Sequence, residues 1–149
     1  MIPLTSFNYY HILQYFGDIE MDIDQWKTHF ESKLLEKSVL HHNGECLIWT
    51  GYSRDGGRGV FYGEIKASYP GLNQNSKKIP VHRLAYFFKY PEHYGRVGDC
   101  SHLCHNSMCI KADHISLEPH YINNNRQVCF NRGKCQGHEL FKDCMLHLH

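Results

Sequence analysis

The spacing of apolar residues predicts an amphipathic helix over residues 22–35. Apolar side chains recur there every three or four residues, which places them on one face of a helix. This stripe consists of Ile23, Trp26, Phe30 and Leu34. Asp22 can cap the helix, with Gln25 three positions later. We expect the stripe to pack in the protein core.

The segment after the Asn43-Gly44 pair predicts a series of antiparallel strands. Short apolar runs alternate there with glycine-rich and polar breaks. The predicted order is a strand in CLIWTGY that begins at Cys46, a turn over 53–57, a strand in GRGVFYGEIKAS, a polar loop over 72–78 and a third strand over 78–81. Apolar residues then return to helical spacing, which predicts a short helix over 82–89.

A further short helix is predicted to open at Pro119, because proline suits the first helical position. The strands in the middle of the chain, flanked by helices, indicate an α+β fold class. A chain of 149 residues is expected to form one domain with a modest core.

Charge is unevenly distributed although the formal net charge is only +1. Residues 1–45 carry three basic and seven acidic side chains, a net charge of −4. Residues 46–96 carry eight basic and three acidic side chains, a net charge of +5, and residues 97–149 carry five of each. A basic middle segment favours a polyanionic partner, and a solvated surface of mixed charge is the alternative.

Neither a membrane span nor a secretory leader is expected from this sequence. No apolar run approaches the length that crosses a bilayer. The first 16 residues lack a basic start and a continuous apolar stretch. We therefore expect an intracellular protein, in the nucleus of a eukaryote or otherwise in the cytoplasm, where thiols stay reduced.

Cysteine and histidine are concentrated between residues 100 and 144. Six of the seven cysteines lie in this stretch, together with five histidines. Zinc is bound in tetrahedral sites by thiolate and imidazole, so this density predicts zinc. Disulfides and inert buried thiols are the alternatives, but disulfides suit secreted chains and the number of cysteines is odd.

The spacing divides these residues into two zinc sites. Cys104, Cys109 and His114 follow the pattern C-x4-C-x4-H, so one loop supplies three ligands. The fourth ligand must come from elsewhere, and Cys46 and Cys100 are the two candidates. The second site takes its four ligands from one local segment. They are Cys129, Cys135, His138 and Cys144.

One part of the sequence resembles the His-Cys box homing endonucleases. It consists of SHLCHN, the cysteine and histidine that follow, and then N…R..C. These enzymes belong to the ββα-metal or His-Me finger nucleases, which are HNH-like. The segments ECLIWTGYSRDGGRGVFYGEI and VHRLAY are similar to phage-type HNH proteins. The resemblance covers residues 23–144 and implies a small zinc-braced ββα-metal fold with an antiparallel DNA-binding sheet and few short helices.

On this resemblance we expect a single endonuclease domain over residues 1–149. An N-terminal arm and helix would occupy residues 1–45. A basic β-rich DNA-binding part would span 46–96, and a zinc-bound catalytic core would span 97–149. The implied cofactors are two structural Zn²⁺ ions and one catalytic Mg²⁺ or Mn²⁺ ion.

The resemblance also implies roles for single residues. In the family, the first histidine of the motif activates water, and an asparagine on the following helix binds the catalytic ion. These positions are His102 and Asn123, and Cys46 becomes the fourth ligand of the first zinc. Arg126, one helical turn after Asn123, is expected either to steady the phosphate or to be a plain surface arginine.

The implied activity is metal-dependent hydrolysis of phosphodiester bonds in double-stranded DNA, at specific sites as in homing. A β-ribbon with a basic face can enter the major groove. The candidate DNA contacts are Arg54, Arg58, Lys66, Lys77 and Lys78.

Two other functions stay open from the sequence. One is an inactive zinc-braced DNA-binding module, although the presence of both His102 and Asn123 counts against it. The other is a less specific nuclease that acts as a toxin, a defence factor or an RNA-processing enzyme. We expect double-stranded DNA as the partner and no membrane. A homodimer is left open, because only five residues follow Cys144 where the family has a long swapped tail.

Overall fold

The computed structural model describes residues 23–57, 59–66, 78–93 and 96–149, with only the backbone of Ile23, Asp24 and Trp26. These ranges contain three α-helices and seven short strands. In chain order they are α1 (Ile23–Glu36), β1 (Ser38–Leu40), β2 (Leu47–Trp49), β3 (Ser53–Asp55), β4 (Phe61–Lys66), β5 (Lys78–Pro80), α2 (Val81–Lys89), β6 (Asp99–His102), β7 (Ile115–Glu118) and α3 (His120–Arg132).

The strands form three small antiparallel sheets, β1–β2, β3–β4–β5 and β6–β7. Single 3₁₀ turns lie at Pro91–His93, Ala112–His114 and Leu146–Leu148. The predicted α+β class is confirmed. Within the described ranges, no helix has both the length and the apolar character needed to cross a bilayer.

Helix α1 contributes its predicted apolar face to the main core. Phe30 and Leu34 are buried, whereas Asp22 and the side chains of Ile23 and Trp26 lie outside the described residues. The other buried members of this core come from β2, β5, α2 and the loop before β7. They are Trp49, Ile79, Val81, Leu84, Phe88 and Ile110. One core therefore draws on all three expected parts of the chain.

The three-stranded sheet packs one face against this core. Directly opposed residues of antiparallel strands share a face, and Ile65 pairs with Ile79 on the inner side. Gly63 belongs to the same face, where an added Cβ would collide with the Trp49 ring and with Val81. A glycine is therefore required where the sheet meets the tryptophan.

The prediction of a turn over 53–57 is wrong in its first half. Ser53–Asp55 is strand β3, which pairs with β4 in the register Ser53↔Gly63. The turn follows it, with the Gly56 N–H donating to the Val60 carbonyl at 2.8 Å. Polar residues are tolerated in β3 because it is an edge strand. The predicted loop over 72–78 lies outside the described residues except for Lys78, which begins β5.

Strands β6 and β7 and helix α3 form a continuous ββα unit. The hairpin pairs Asp99 with Glu118 and His102 with Ile115, and the chain then enters α3. Pro119 is the cap residue rather than the first helical residue as predicted, a difference of one position. The unit places Asp99, at the beginning of β6, beside the first turn of α3.

Candidate metal centres and active site

The first Cys/His cluster consists of Cys46, Cys104, Cys109 and His114, all buried, with their ligand atoms within 4.8 Å of one another. The His114 Nδ1 atom lies 3.5 Å from the Cys46 sulfur and 3.6 Å from the Cys109 sulfur. Tetrahedral zinc, with Zn–S of about 2.3 Å and Zn–N of about 2.0–2.1 Å, requires sulfur–nitrogen edges of about 3.5 Å. This cluster could hold a structural zinc ion.

Backbone pairing brings Cys46 to a loop that lies far from it in sequence. Strand β2, directly after Cys46, makes an isolated bridge between Ile48 and Cys109. The Trp49 N–H donates to the Met108 carbonyl, and the Ile110 N–H donates to the Leu47 carbonyl, each at 2.8 Å. Cys46 is therefore held beside the C-x4-C-x4-H loop by two segments that pair like strands.

Cys100, the other candidate for the fourth ligand, lies elsewhere. Its thiol packs with Tyr86, Phe87 and Ile115, and Arg83 Nη1 donates to its sulfur at 3.7 Å. Burial raises the pKa of Cys100 to about 11. Cys46, and not Cys100, therefore lies in the first cluster.

The second cluster consists of Cys129, Cys135, His138 and Cys144, again with ligand atoms within 4.8 Å. Here the Nε2 atom of His138 faces the sulfurs, 3.5 Å from Cys129 and 3.3 Å from Cys144. Cys129 lies in the last turns of α3, and Gly133 ends that helix with φ of +70°. The chain can then double back at once, so this cluster could also hold zinc.

Hydrogen-bond donors around the sulfurs suit bound thiolates. The Asn106 amide donates to the Cys46 sulfur at 3.4 Å, and the Gln136 N–H donates to the Cys129 sulfur at 3.4 Å. The Cys144 N–H lies 3.3 Å from the Cys135 sulfur. A zinc ion with three thiolates and one imidazole is net −1, and such donors stabilise that charge.

His102 ends strand β6 and is oriented by the first cluster. Its Nε2 lies 3.0 Å from the backbone carbonyl of Cys109. A carbonyl only accepts, so Nε2 carries the hydrogen and Nδ1 keeps a lone pair. Burial lowers the pKa of His102 to about 4, so the imidazole is neutral near pH 7.

Two rings flank His102. The His82 ring centroid is 4.4 Å away, and the Tyr62 centroid is 6.4 Å away. Burial, and next the neighbouring His102, lower the pKa of His82 well below its usual value. The Nδ1 atom of His82 is buried and has no partner among the described residues. The VHRLAY segment indicated a helix and a resemblance to phage-type HNH proteins but no role for His82, so sequence reasoning missed this histidine.

Asn123 lies in the first turn of α3 and faces the same cleft as His102. Both residues line a cavity of about 520 Å³ together with Tyr62, His105 and Phe130. The Asn123 amide nitrogen donates to Asp99 Oδ2 at 3.1 Å. An imidazole base and a carboxamide oxygen thus share one cleft beside the first Cys/His cluster.

Arg126 is not a plain surface arginine, which was one of the two alternatives expected from the sequence, and it lines the same cavity as His102 and Asn123. It is buried and makes a two-pronged ion pair with Glu118, at 2.7 Å from Nε and 2.8 Å from Nη2. It also donates to the Lys142 carbonyl at 2.7 Å and to the Cys144 sulfur at 3.4 Å. These four bonds use most of its five donors, so Arg126 ties β7 and α3 to the second cluster.

Sequence reasoning also missed Glu118 and Asp99. Glu118 ends β7 directly before Pro119, and nothing in the alternation of residues shows that its carboxylate is buried. Asp99 meets Asn123 only because the hairpin and the helix fold together. Neither residue belongs to a recognisable motif.

Three of the five basic candidates share the outer face of the three-stranded sheet. Arg54 is opposite Tyr62, and Lys66 is opposite Lys78, so these four side chains lie on one face. Arg54 pairs with Glu64 at 3.5 Å, and Lys78 lies over the Tyr52 ring at 4.4 Å. Arg58 and Lys77 lie outside the described residues. Tyr62 joins this face to the cleft around His102.

The fold and the two clusters define a small α+β protein of the His-Me finger nuclease type. Residues 63–148, more than half of the chain, match the family described as the zinc-binding loop region of homing endonuclease. The chain belongs to this family, in agreement with its resemblance to the His-Cys box homing endonucleases. Family membership indicates a nuclease or DNA-binding role, with DNA as the substrate. No curated protein and no solved structure matches the chain.

The first cluster leads to a prediction about zinc content. We expect Cys46→Ser to lose about one of two zinc ions per chain, because it removes a buried ligand. Cys100→Ser should keep both ions, since Cys100 lies outside both clusters. Elemental analysis of the purified proteins checks this. Loss of zinc from Cys100→Ser with retention in Cys46→Ser would contradict the assignment.

The buried ion pair leads to a prediction about stability. Glu118→Gln should lower the free energy of unfolding by about 3–5 kcal/mol, because it leaves the Arg126 cation buried without its counter-charge. Urea unfolding of the zinc-loaded protein measures this. The double variant Glu118→Met/Arg126→Met should lose less, since no charge is stranded.

Asp113→Asn is the matched control, since it removes an acid from the exposed pair with Lys89. Its unfolding curve should stay close to that of the parent. If the unfolding curve of Glu118→Gln is equally close to that of the parent, the buried ion pair does not stabilise the position of the helix.

Proposed function

We propose that this protein is a divalent-metal-dependent endonuclease that cuts double-stranded DNA at specific sites, as homing enzymes do. One observation carries the proposal. His102 and Asn123 line the same cleft, and the His102 ring is anchored to the carbonyl of Cys109, a residue of the first Cys/His cluster. A candidate proton acceptor on β6 and a candidate oxygen ligand on α3 thereby line one cleft, beside a loop that the first cluster braces.

His102 acts as the general base. Its Nδ1 lone pair takes a proton from a water molecule, so an O–H bond breaks and an N–H bond forms. The resulting hydroxide attacks the phosphorus in line. The bond from phosphorus to the 3′ oxygen breaks, and the departing oxygen takes a proton from a water molecule, which leaves a 5′ phosphate and a 3′ hydroxyl. The low pKa of His102 keeps the base unprotonated before each turnover.

Asn123 offers a carboxamide oxygen, which suits a hard divalent cation, and water and DNA phosphate oxygens complete the shell. Bound Mg²⁺ or Mn²⁺ would stabilise the negative charge that develops on the phosphate and on the leaving oxygen. Because one amide is a weak ligand set, we expect weak ion binding in the absence of DNA.

The two clusters supply rigidity rather than chemistry. The first fixes the loop whose carbonyl orients His102. The second, through Arg126 and Glu118, fixes the helix that carries Asn123. We propose that zinc in both clusters holds the base and the amide at a constant separation, within a single domain that spans the chain.

The outer face of the sheet is the proposed DNA surface. Arg54, Lys66 and Lys78 project from it, and Tyr62 leads from it to His102. A basic sheet face beside the cleft can follow the phosphate backbone into the site. Arg58 and Lys77 are proposed as further contacts from the sequence alone.

The catalytic pair leads to the first prediction for this function. His102→Ala should keep its fold and zinc content but lose DNA cleavage by about 10²- to 10⁴-fold, the usual contribution of a positioned base. Asn123→Ala should also lose cleavage, and raised Mn²⁺ should restore part of it, because its defect lies in ion binding. Added metal should not rescue His102→Ala, which lacks a proton acceptor. Plasmid nicking with each variant measures these rates.

The neighbouring residues supply matched controls. Asn124 and Asn125 are exposed on the same helix but do not line the cleft, and His42 is an exposed histidine remote from β6 in sequence. Alanine at each should leave cleavage nearly normal. If His102→Ala and Asn123→Ala also cut like the parent, the nuclease mechanism is wrong. If the parent protein binds DNA firmly but leaves the plasmid uncut, the result would favour the inactive DNA-binding module.

The basic face leads to a prediction about salt. Each phosphate contact contributes a slope of about −0.9 to log K against log salt concentration on duplex DNA. Lys66→Gln/Lys78→Gln should therefore flatten that slope by up to about 2 and leave zinc bound. Lys33→Gln/Lys37→Gln, at the end of α1, is the matched control. Equal slopes for the parent and the Lys66/Lys78 variant would place the DNA surface elsewhere.

A further inference from the structure

Asp99 begins the strand that ends in His102, yet it contacts the helix that carries Asn123. Its Oδ2 atom accepts from the Asn123 amide nitrogen at 3.1 Å and from His120 Nδ1 at 2.6 Å. Both donors belong to the first turn of α3. One carboxylate oxygen therefore accepts hydrogen bonds from two side chains in the first turn of α3.

The chemistry of this contact determines how the Asn123 amide is turned. A carboxylate only accepts hydrogen bonds, whereas an amide has a donor nitrogen on one side and an acceptor oxygen on the other. The nitrogen must face Asp99, so the oxygen faces away from it. The two ends of an amide are often hard to tell apart from shape alone, but here the partner decides the orientation.

Orientation matters because only the oxygen can bind a hard cation. Without a fixed acceptor, the amide could turn its NH₂ group towards the cleft and repel an ion there. The charged acceptor also polarises the amide, which places more negative charge on Oδ1. Asn123 lines the cleft, while Asp99 is not among the residues that line it.

We infer that Asp99 is a positioning residue that holds the Asn123 amide with Oδ1 presented to the catalytic divalent ion. This inference rests on the proposed function, since it assigns Asn123 the ion. Asp99 acts through Asn123 and touches neither the DNA nor the ion. Outer partners of this kind usually change metal affinity or activity by about 10- to 100-fold when removed.

The first test observes the amide itself and needs no enzymatic activity. In ¹⁵N spectra of the zinc-loaded protein, the side-chain NH₂ pair that disappears in Asn123→Ala belongs to Asn123. We expect Asp99→Asn to shift that pair markedly, because an amide replaces the charged acceptor. Asp113→Asn, the same change at an acid bonded to Lys89 and Tyr90, should leave it in place.

The second test measures ion binding with Mn²⁺ as the probe. Free Mn²⁺ is followed by electron paramagnetic resonance in the presence of the protein and a short mixed-sequence DNA duplex. Asp99→Asn should weaken Mn²⁺ binding about 10- to 100-fold, and high Mn²⁺ should restore cleavage, with two zinc ions retained. His120→Ala keeps the carboxylate and should bind Mn²⁺ nearly as the parent does.

The outcomes separate this inference from the proposed function. An Asn123 NH₂ pair that Asp99→Asn leaves unmoved overturns the inference even if the parent cuts DNA. Weaker Mn²⁺ binding with an unmoved amide would make Asp99 a direct ligand, which also overturns it. If the parent neither binds Mn²⁺ at the cleft nor cuts DNA, the proposed function fails, whatever the amide resonance shows.

Discussion

The hydrogen bond between His102 and the Cys109 carbonyl is the contact on which the proposed site depends. It sets the tautomer of the imidazole, with the hydrogen on Nε2 and the lone pair on Nδ1. The carbonyl can do this only if its loop is rigid, and the next residue of the loop, Ile110, packs in the main core. The sulfur of Cys109 belongs to the first Cys/His cluster. The first cluster and the proposed catalytic base are therefore linked through one residue.

The rest of the fold supports that linkage from two sides. Strand β2 brings Cys46 to the first cluster by pairing with the loop, and Trp49 of the same strand lies in the main core. On the other side, the Glu118–Arg126 pair locks α3 to the hairpin and reaches the second cluster. A buried ion pair contributes specificity of arrangement more than net stability. In this protein, the Glu118–Arg126 pair fixes the position of Asn123 relative to His102.

Seven of the eight cluster residues could be found from the sequence because their chemistry depends on residue type at short separations. The choice of Cys46 over Cys100 as the eighth could not be made from residue spacing, since it follows from pairing between β2 and a loop about sixty residues later in the chain. The polar residues of β3 predict a turn, although an edge strand tolerates them. The burial of Arg126 cannot be predicted, because its partner Glu118 lies eight residues away on another element and no pattern shows that a charge is buried. The arm before residue 23 lies outside the described structure.

The chemistry of the cut ends tests the central claim most directly. The zinc-loaded protein is incubated with a mixed-sequence duplex DNA library, with and without Mg²⁺, and the ends are sequenced and assayed for phosphate. In-line attack with departure of the 3′ oxygen predicts 5′-phosphate and 3′-hydroxyl ends, clustered at related sequences and formed only with Mg²⁺. Ends bearing 3′ phosphate, or intact DNA under conditions where the protein binds it, would contradict the account.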